Sequence, residues 1–372
     1  MKKTVFVLVA ILGSTAAATP LDITTSDRLI IRHLLSGEWQ RSDSIVTAEL
    51  QRAPDSPKLN FFKAYVAFYS RFFSRPGLER EASIGVMEEY TWRGIVAAER
   101  LPVATDTKFF LGNLYGLLCR ANSMRQEYWN TYWNARKARR LLREVVEEDS
   151  TIVDAYLNLA VIEYYPSVAV TGFRGFLAWL GGMSGDRAKG LELFEKVGER
   201  GVLFQDEALF ALTIVYRYGE NDIARSAKAW GTLHDRYPQN AVFENGYRQT
   251  ALAQAIREKG VEFIERESAT LREAYGVDNA GVLNTLAYAY MAQQQNHEAF
   301  VLLSTNLKLF PAVANCYDSM GEWYFNTGDF PNARKYYQLA SEKLEADTSA
   351  TEQFKEVLRT GIAQKFKEME GK

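Results

Sequence analysis

The chain has 372 residues, of which 44 are lysine or arginine and 46 are aspartate or glutamate, so its formal net charge at pH 7 is −2. This near balance excludes a strongly basic nucleic-acid-binding protein and a strongly acidic tail protein. Two cysteines exclude a disulfide framework and a cysteine-rich zinc fold, and three histidines far apart in the sequence offer little for metal or acid–base chemistry. Cys119 and Cys316 are expected to be buried thiols, although an oxidising compartment would permit a bridge between them.

The first 18 residues have the organisation of a secretory signal peptide. Lys2 and Lys3 are followed by an apolar run from Val5 to Gly13 and by small residues from Ala16 to Ala18, which is the order of such a peptide. The apolar run is shorter than the roughly 20 residues that a membrane-spanning helix needs. We expect cleavage near Ala18 and a periplasmic or otherwise secreted protein that begins near Thr19, with an uncleaved anchor as the alternative.

A long helix is predicted from Arg125 to Glu148. Its first half carries two aromatic pairs at i, i+4 spacing and its second half carries five basic residues: Tyr128, Trp129, Tyr132, Trp133, Arg136, Lys137, Arg139, Arg140 and Arg143. One interpretation is a packing stripe followed by a solvated face with the ion pairs Arg140–Glu144 and Arg143–Glu147. The other is a patch that binds an anionic ligand or headgroup and is bordered by aromatic side chains.

The helix that ends with Tyr164 and Tyr165 is followed by an apolar insertion. Residues 166–185 hold one charged residue and several bulky apolar side chains, among them Phe176 and Trp179. Soluble proteins rarely expose an apolar patch of this size. The insertion is therefore predicted either to pack against the helices or to serve as a lid, a docking segment or a membrane contact.

Two segments near the C-terminus repeat each other with a period of 34 residues. The matching positions are Ala287 and Gly321, Tyr290 and Tyr324, and Ala299 and Ala333. This pattern resembles the tetratricopeptide repeat (TPR), a helix–turn–helix unit of about 34 residues. The resemblance implies that Gly321 and Ala333 let two helices approach closely, that Tyr337 helps to fill the space between them, and that Gly328 and Asp329 form the turn.

Weaker matches extend the resemblance over most of residues 26–345. They include first-helix patterns at Asp154–Ala160 and Phe110–Tyr115, and a turn at Gly37 that is followed by Pro54. The implied fold class is all-α, a TPR-type right-handed superhelical solenoid of antiparallel helix pairs over residues 19–372. A capping helix at 351–369 would end it, with one apolar stripe made of Phe354, Val357, Leu358 and Ile362.

Residues 155–211 also resemble the subset of TPR proteins that includes the tetratricopeptide repeat domain 39 proteins. The shared features are a proline, an apolar insertion, a Gly-Asp-Arg step and a Gly-Leu pair, here Pro166, Gly185 to Arg187, and Gly190 with Leu191. The biochemical role of that subset is poorly defined, so this second resemblance implies little about function.

The TPR resemblance also predicts which side chains line the binding groove. Carried over to this chain, the groove positions of the first helices are Leu157, Val161, Tyr164 and Tyr165 in one repeat, and Asn284, Tyr288, Met291, Asp318, Glu322, Phe325 and Asn326 in the last two. These acids and aromatic residues differ from the lysine and asparagine clamp with which chaperone-binding members hold a terminal carboxylate, so that ligand class is disfavoured. Phe176 and Trp179 of the insertion complete the candidate set.

The sequence contains no motif that points to catalysis. It has no phosphate-binding glycine loop, no dinucleotide fingerprint, no zinc-protease helix and no nucleophile elbow. We therefore expect a non-enzymatic protein without metal or cofactor, an exported scaffold that binds an envelope protein or peptide. The alternative is a binding protein for an apolar or amphiphilic small molecule, as an accessory to transport. Nucleic acid is not an expected partner, and membrane contact is possible through residues 166–185.

Overall fold

The computed structural model describes residues 21–73, 80–169 and 185–370. Within these ranges the chain forms 18 α-helices that follow one another in antiparallel pairs, as the sequence predicts. The predicted signal peptide and most of the apolar insertion, including Phe176 and Trp179, lie outside the described residues. The chain divides into two compact units, Met1–Val215 and Tyr216–Lys372, called unit 1 and unit 2 below.

Unit 1 holds nine α-helices in its described residues. They are α1 Thr25–Leu35, α2 Trp39–Arg52, α3 Pro57–Phe73, α4 Arg80–Ala98, α5 Thr105–Met124, α6 Tyr128–Glu148, α7 Tyr156–Ala169, α8 Arg187–Arg200 and α9 Gln205–Ile214. Consecutive helices pack as the pairs α1/α2, α3/α4, α5/α6 and α7/α8, and α9 packs on α8. The helix predicted over 125–148 is therefore the second helix of its pair, α6.

Local sequence signals determine where the helices of unit 1 begin. Thr24 and Asp27 form a capping box at α1, in which each side chain accepts a hydrogen bond from the other residue's amide. The Asp186 carboxylate accepts a hydrogen bond from the Lys189 amide at 3.0 Å and caps α8. Gly37 has a φ of +82°, which other residues rarely adopt, so the chain can reverse between α1 and α2.

Unit 2 also holds nine α-helices in the residues described. They are α10 Ile223–Arg236, α11 Ala241–Lys259, α12 Glu262–Arg266, α13 Leu271–Tyr275, α14 Ala280–Ala292, α15 Asn296–Leu309, α16 Ala314–Thr327, α17 Phe330–Leu344 and α18 Glu352–Glu368. Consecutive helices pack as the pairs α10/α11, α14/α15 and α16/α17, and the short helices α12 and α13 lie between the first pair and the second. An apolar core runs through α11 to α16 and includes Phe263, Leu283, Leu302 and Met320.

The α16/α17 pair confirms the packing predicted for the last repeat. A Cβ atom at Gly321 would lie 2.9 Å from Cδ1 of Tyr337, so α16 and α17 approach closely at this position. Ala333 and Tyr337 are both buried. Gly328 ends α16 with a φ of +84°, and the Asp329 side chain caps α17 by accepting a hydrogen bond from the Asn332 amide.

The apolar stripe predicted for the last helix is only half correct. Leu358 and Ile362 of α18 are buried, but Phe354 is 41% exposed and Val357 is 61% exposed. In their place the buried side of α18 includes Lys355, whose Nζ lies 3.0 Å from Glu352 and 3.4 Å from the Glu345 carbonyl. The apolar surface that α18 buries is therefore narrower than the stripe of four apolar residues in its sequence.

Candidate partner-binding site

The predicted groove residues of unit 2 meet between α14 and α16. The Tyr288 hydroxyl donates a hydrogen bond to Oε2 of Glu322 at 2.5 Å and lies 3.4 Å from the Ser319 hydroxyl. Tyr288 and Glu322 occupy equivalent positions of the two repeats, as do Asn284 and Asp318. The 34-residue period thus places a tyrosine–carboxylate pair on adjacent first helices.

A second carboxylate lies one turn before Glu322 on α16. Burial raises the pKa of Asp318 to about 7, and the negative charge of Glu322 acts in the same direction. The Lys365 ammonium on α18 opposes this shift. Near neutral pH the Asp318 carboxyl is therefore only partly ionised, and a further positive charge beside it would stabilise its ionised form.

Asn284 adds an acceptor to this surface. Its Oδ1 atom is buried and has no hydrogen-bond partner within the described residues. Because a buried acceptor without a donor costs free energy, this atom is suited to a donor supplied by a ligand or by water. Asn284 lies one turn before Tyr288 on α14.

An aromatic side chain and a lysine lie at the far end of α16. The Lys365 ammonium is 4.1 Å from the ring centroid of Phe325 and 3.0 Å from the Glu368 carboxylate. Phe325 also packs edge-on against Phe330, with ring centroids 5.7 Å apart. Asn284, Tyr288, Glu322 and Phe325 thus combine hydrogen-bond acceptors with an aromatic surface.

The predicted site residues of unit 1 occupy different surroundings. Tyr164 is 2% exposed, and its ring packs edge-on against Phe194 of α8 with centroids 6.1 Å apart. A Cβ atom at Gly190 would lie 2.6 Å from the Tyr164 amide nitrogen, so α7 and α8 are in close contact here. Tyr164 therefore packs between helices, whereas Tyr165 is 38% exposed. A role of Tyr165 in binding stays a prediction.

Unit 1 contains a buried polar network that the sequence analysis missed. The Glu207 carboxylate on α9 accepts hydrogen bonds from Tyr65 at 2.7 Å and from Tyr69, both on α3. The Arg120 guanidinium on α5 donates to the same carboxylate at 2.7 Å and to the Tyr69 hydroxyl. Burial raises the pKa of both tyrosines well above the ordinary value, so they remain hydroxyl donors.

The network continues from Arg120 to α7. Arg120 Nη2 donates to Oδ1 of Asn158 at 3.0 Å, and Asn158 Nδ2 donates to Oδ1 of Asn113 at 2.8 Å. A Cβ atom at Gly116 would lie 2.6 Å from Asn158 Nδ2, so the glycine makes room for this contact. The helices α3, α5, α7 and α9 are thereby joined through side chains that partner one another.

A sequence signal for this network exists in hindsight. Arg120 is the only charged residue between Lys108 and Arg125, and Glu207, which follows Asp206, is succeeded by nine uncharged residues. A charged side chain in an apolar helix is rarely buried unless it is paired. Two charges of opposite sign next to such apolar runs favour a buried ion pair, but the sequence alone does not say which helices bring them together.

Several kinds of site find no support in the described part of the chain. No group of three or more histidine, cysteine or acidic side chains there is placed to hold a metal ion. No helix there is long and apolar enough to cross a membrane. Cys119 and Cys316 are free thiols, and burial raises the pKa of Cys119 to about 11 and that of Cys316 to about 12.

Antiparallel helix pairs with a 34-residue period define the architecture. This is a TPR-like helical repeat protein. No protein-family model matches the chain, and no curated protein matches it. Among solved structures, the human IFIT1 dimer with PPP-AAAA is similar at 13% identity and a TM-score of 0.38, covering 84% of this chain and 70% of that one. Yeast Tom70 is similar at 16% identity and a TM-score of 0.31, covering 87% and 69%.

Proposed function

We propose that this protein is a non-enzymatic scaffold in the cell envelope, and that unit 2 binds a segment of a protein partner. The observation that carries the proposal is the surface on α14 and α16, where Tyr288 and Glu322 are hydrogen-bonded at 2.5 Å. TPR-like pairs present such surfaces to extended or helical segments. Rigid tyrosine rings supply contact area at a low entropic cost.

The charge of this surface indicates the chemistry of the bound segment. Asp318 and Glu322 are two carboxylates one turn apart, and the pKa of Asp318 is raised first by burial and then by the negative charge of Glu322. A lysine or arginine side chain would neutralise them, and Asn284 Oδ1 would accept a further hydrogen bond. We therefore propose a partner segment with at least one basic residue.

A capture experiment with matched variants tests this proposal. Tagged protein is incubated with envelope extract from its own source, and bound proteins are identified by mass spectrometry. Glu322→Gln, which keeps the shape of the side chain, should lose the specific partner. Glu352→Gln removes an equally charged side chain that is 79% exposed and should retain it. Equal capture by both variants would place the binding surface elsewhere.

Export to the envelope is proposed from residues 1–18. The proposal is supported by the order of features in this segment, which is two lysines, Lys2 and Lys3, an apolar run, and small residues from Ala16 to Ala18. Sequencing the N-terminus of the exported protein should give a start within a few residues of Thr19. Recovery of Met1 on the protein from the soluble fraction would overturn this part of the proposal.

Binding of an apolar or amphiphilic small molecule is the weaker candidate. It depends on the insertion, of which residues 170–184 lie outside the described ranges, and on the aromatic part of α6, which lies at the surface of unit 1. The resemblance of residues 155–211 to the tetratricopeptide repeat domain 39 subset likewise stays a prediction and adds no activity. Mass spectrometry of lipids extracted from the captured protein would reveal such a ligand.

A further inference from the structure

The first two turns of α6 present large aromatic side chains to solvent. Trp129 is 72% exposed and Trp133 is 43% exposed. The buried face of α6 begins only at Ala135 and continues with Ala138, Leu141, Leu142 and Val145. The interpretation of the aromatic pairs as a packing stripe is therefore wrong, because these turns extend beyond the part of the helix that contacts the core.

These aromatic rings hold one another in place. The rings of Trp129 and Tyr132 are stacked at 5.9 Å with an interplanar angle of 17°, and those of Trp129 and Trp133 meet edge-on at 6.0 Å. The Arg136 guanidinium lies 5.8 Å from the Trp133 ring centroid and donates a hydrogen bond to the Tyr132 hydroxyl at 3.3 Å. The cluster is thus arranged before any partner arrives, which reduces the entropic cost of binding.

The same helix is strongly basic. Between Tyr128 and Arg143 it carries five basic residues and no acidic residue. Four of the aromatic and basic residues are spaced four, three and four positions apart, so they share one stripe of the helix. They are Trp129, Trp133, Arg136 and Arg140.

The ion pairs predicted along this helix are not formed. Glu144 lies 3.3 Å from Lys108, and Arg143 lies 3.2 Å from the buried Glu163. Arg140 is exposed and contacts no carboxylate in the part of the chain that is described. The basic stripe therefore keeps its positive charge at the surface.

We propose that this stripe of α6 docks on the surface of an anionic lipid bilayer. Tryptophan and tyrosine favour the interface between acyl chains and water. Each basic residue near an anionic leaflet strengthens binding about fivefold. A bilayer offers a continuous layer of phosphates, which suits Arg136 and Arg140, since the next acidic residue on their stripe, Glu144, lies beside Lys108. The contact is peripheral and involves residues of unit 1.

Vesicle sedimentation tests this docking with the full chain. Vesicles of phosphatidylcholine alone are compared with vesicles that contain one quarter phosphatidylglycerol, at low and at high salt. We expect at least tenfold stronger binding to the anionic vesicles and a loss of that preference at high salt, because salt screens exposed charges. The apolar N-terminal run is common to every variant, so differences between variants report on α6.

Two double variants and two controls locate the contact. Trp129→Ser with Trp133→Ser should strongly weaken binding to both kinds of vesicle, and Arg136→Gln with Arg140→Gln should weaken anionic binding about thirtyfold. The first control, Trp92→Ser on α4, removes a tryptophan that is 52% exposed, and the second, Arg272→Gln on α13, removes an arginine that is 73% exposed. Both should bind like the parent.

Three outcomes would overturn the proposal. They are equal binding to neutral and anionic vesicles, retained binding by both α6 double variants, and loss of binding in the controls as well. All substituted side chains are exposed, so unchanged circular dichroism and melting should accompany any loss of binding.

Discussion

The two units use the first helices of their repeats in different ways. In unit 1 Arg120 and Glu207, which lie on two of these helices, are buried and paired at 2.7 Å. In unit 2 the equivalent helices place Asp318 and Glu322 one turn apart, with the nearest lysine on another helix and the pKa of Asp318 raised to about 7. The same repeat architecture therefore yields a buried network of mutually paired side chains in one unit and two neighbouring carboxyl groups, one of them with a pKa raised by burial, in the other.

This difference separates a structural role from a binding role. A polar network whose members satisfy one another stabilises one arrangement of helices and has little to gain from a ligand. A surface with a half-ionised carboxyl and an unpartnered amide oxygen gains from a cationic group that carries hydrogen-bond donors. We therefore propose that the network of unit 1 serves stability and the surface of unit 2 serves recognition.

The largest effect is expected from breaking the network of unit 1. Arg120→Met leaves the Glu207 carboxylate buried without its cation, and such a loss typically costs about 3–5 kcal/mol. Arg41→Met is the matched control, because Arg41 pairs with Glu38 but is 68% exposed, and exposed pairs contribute about 0–1 kcal/mol. Urea unfolding followed by circular dichroism measures both. Tolerance of Arg120→Met would remove the contrast between the units.

A smaller effect is expected from the helix contact of the last repeat. Ala333 is fully buried between α16 and α17, so Ala333→Leu should overpack the contact and cost about 1–3 kcal/mol. Gly361→Ala on α18 is the control, since a Cβ atom there meets nothing within 4 Å, and it should stabilise the helix by up to about 1 kcal/mol. An unchanged melting temperature in Ala333→Leu would contradict the register of the repeat.

A further effect concerns the dependence of stability on pH. The pKa of Asp318 rises from 3.8 in the unfolded chain to about 7 in the folded protein, so the folded state binds a proton more tightly. This contribution is complete below pH 4 and is lost as the pH rises through 7. Asp318→Asn should therefore become more stable than the parent as the pH rises from 4 to 8. A difference in melting temperature that stays constant over this range would show that Asp318 is not perturbed.

Much of the fold can be predicted from the sequence, because the packing of paired helices requires small and aromatic residues at regular spacings along the chain. The period that relates Ala287 to Gly321, and the turn at Gly328, depend on residues close together in the chain. The Arg120–Glu207 pair joins residues 87 positions apart, and no local pattern indicates such a contact. Exposure was also hard to predict, because the aromatic pairs of α6 have the spacing of a core stripe but lie beyond the end of the core.

The candidate site can be predicted in part, because equivalent positions of successive repeats lie on adjacent helices. Tyr288 and Glu322 were identified from repeat positions, and the structure brings them together. Tyr164 was identified by the same rule but packs against Phe194, because α7 and α8 approach closely at Gly190. A repeat position gives the direction of a side chain relative to its own helix, whereas its exposure depends on neighbouring helices.

Peptide binding to unit 2 tests the central claim most directly. Fluorescent nonapeptide pools with a fixed central arginine, glutamate or leucine are titrated by anisotropy into the parent and into Asp318→Asn with Glu322→Gln. We predict that the arginine pool binds the parent at least about tenfold more tightly than the other two pools, since hydrogen bonds to charged groups contribute about 1.5–3 kcal/mol. The double variant should lose this preference. Equal binding of the three pools, or an arginine preference that survives in the double variant, would contradict the account.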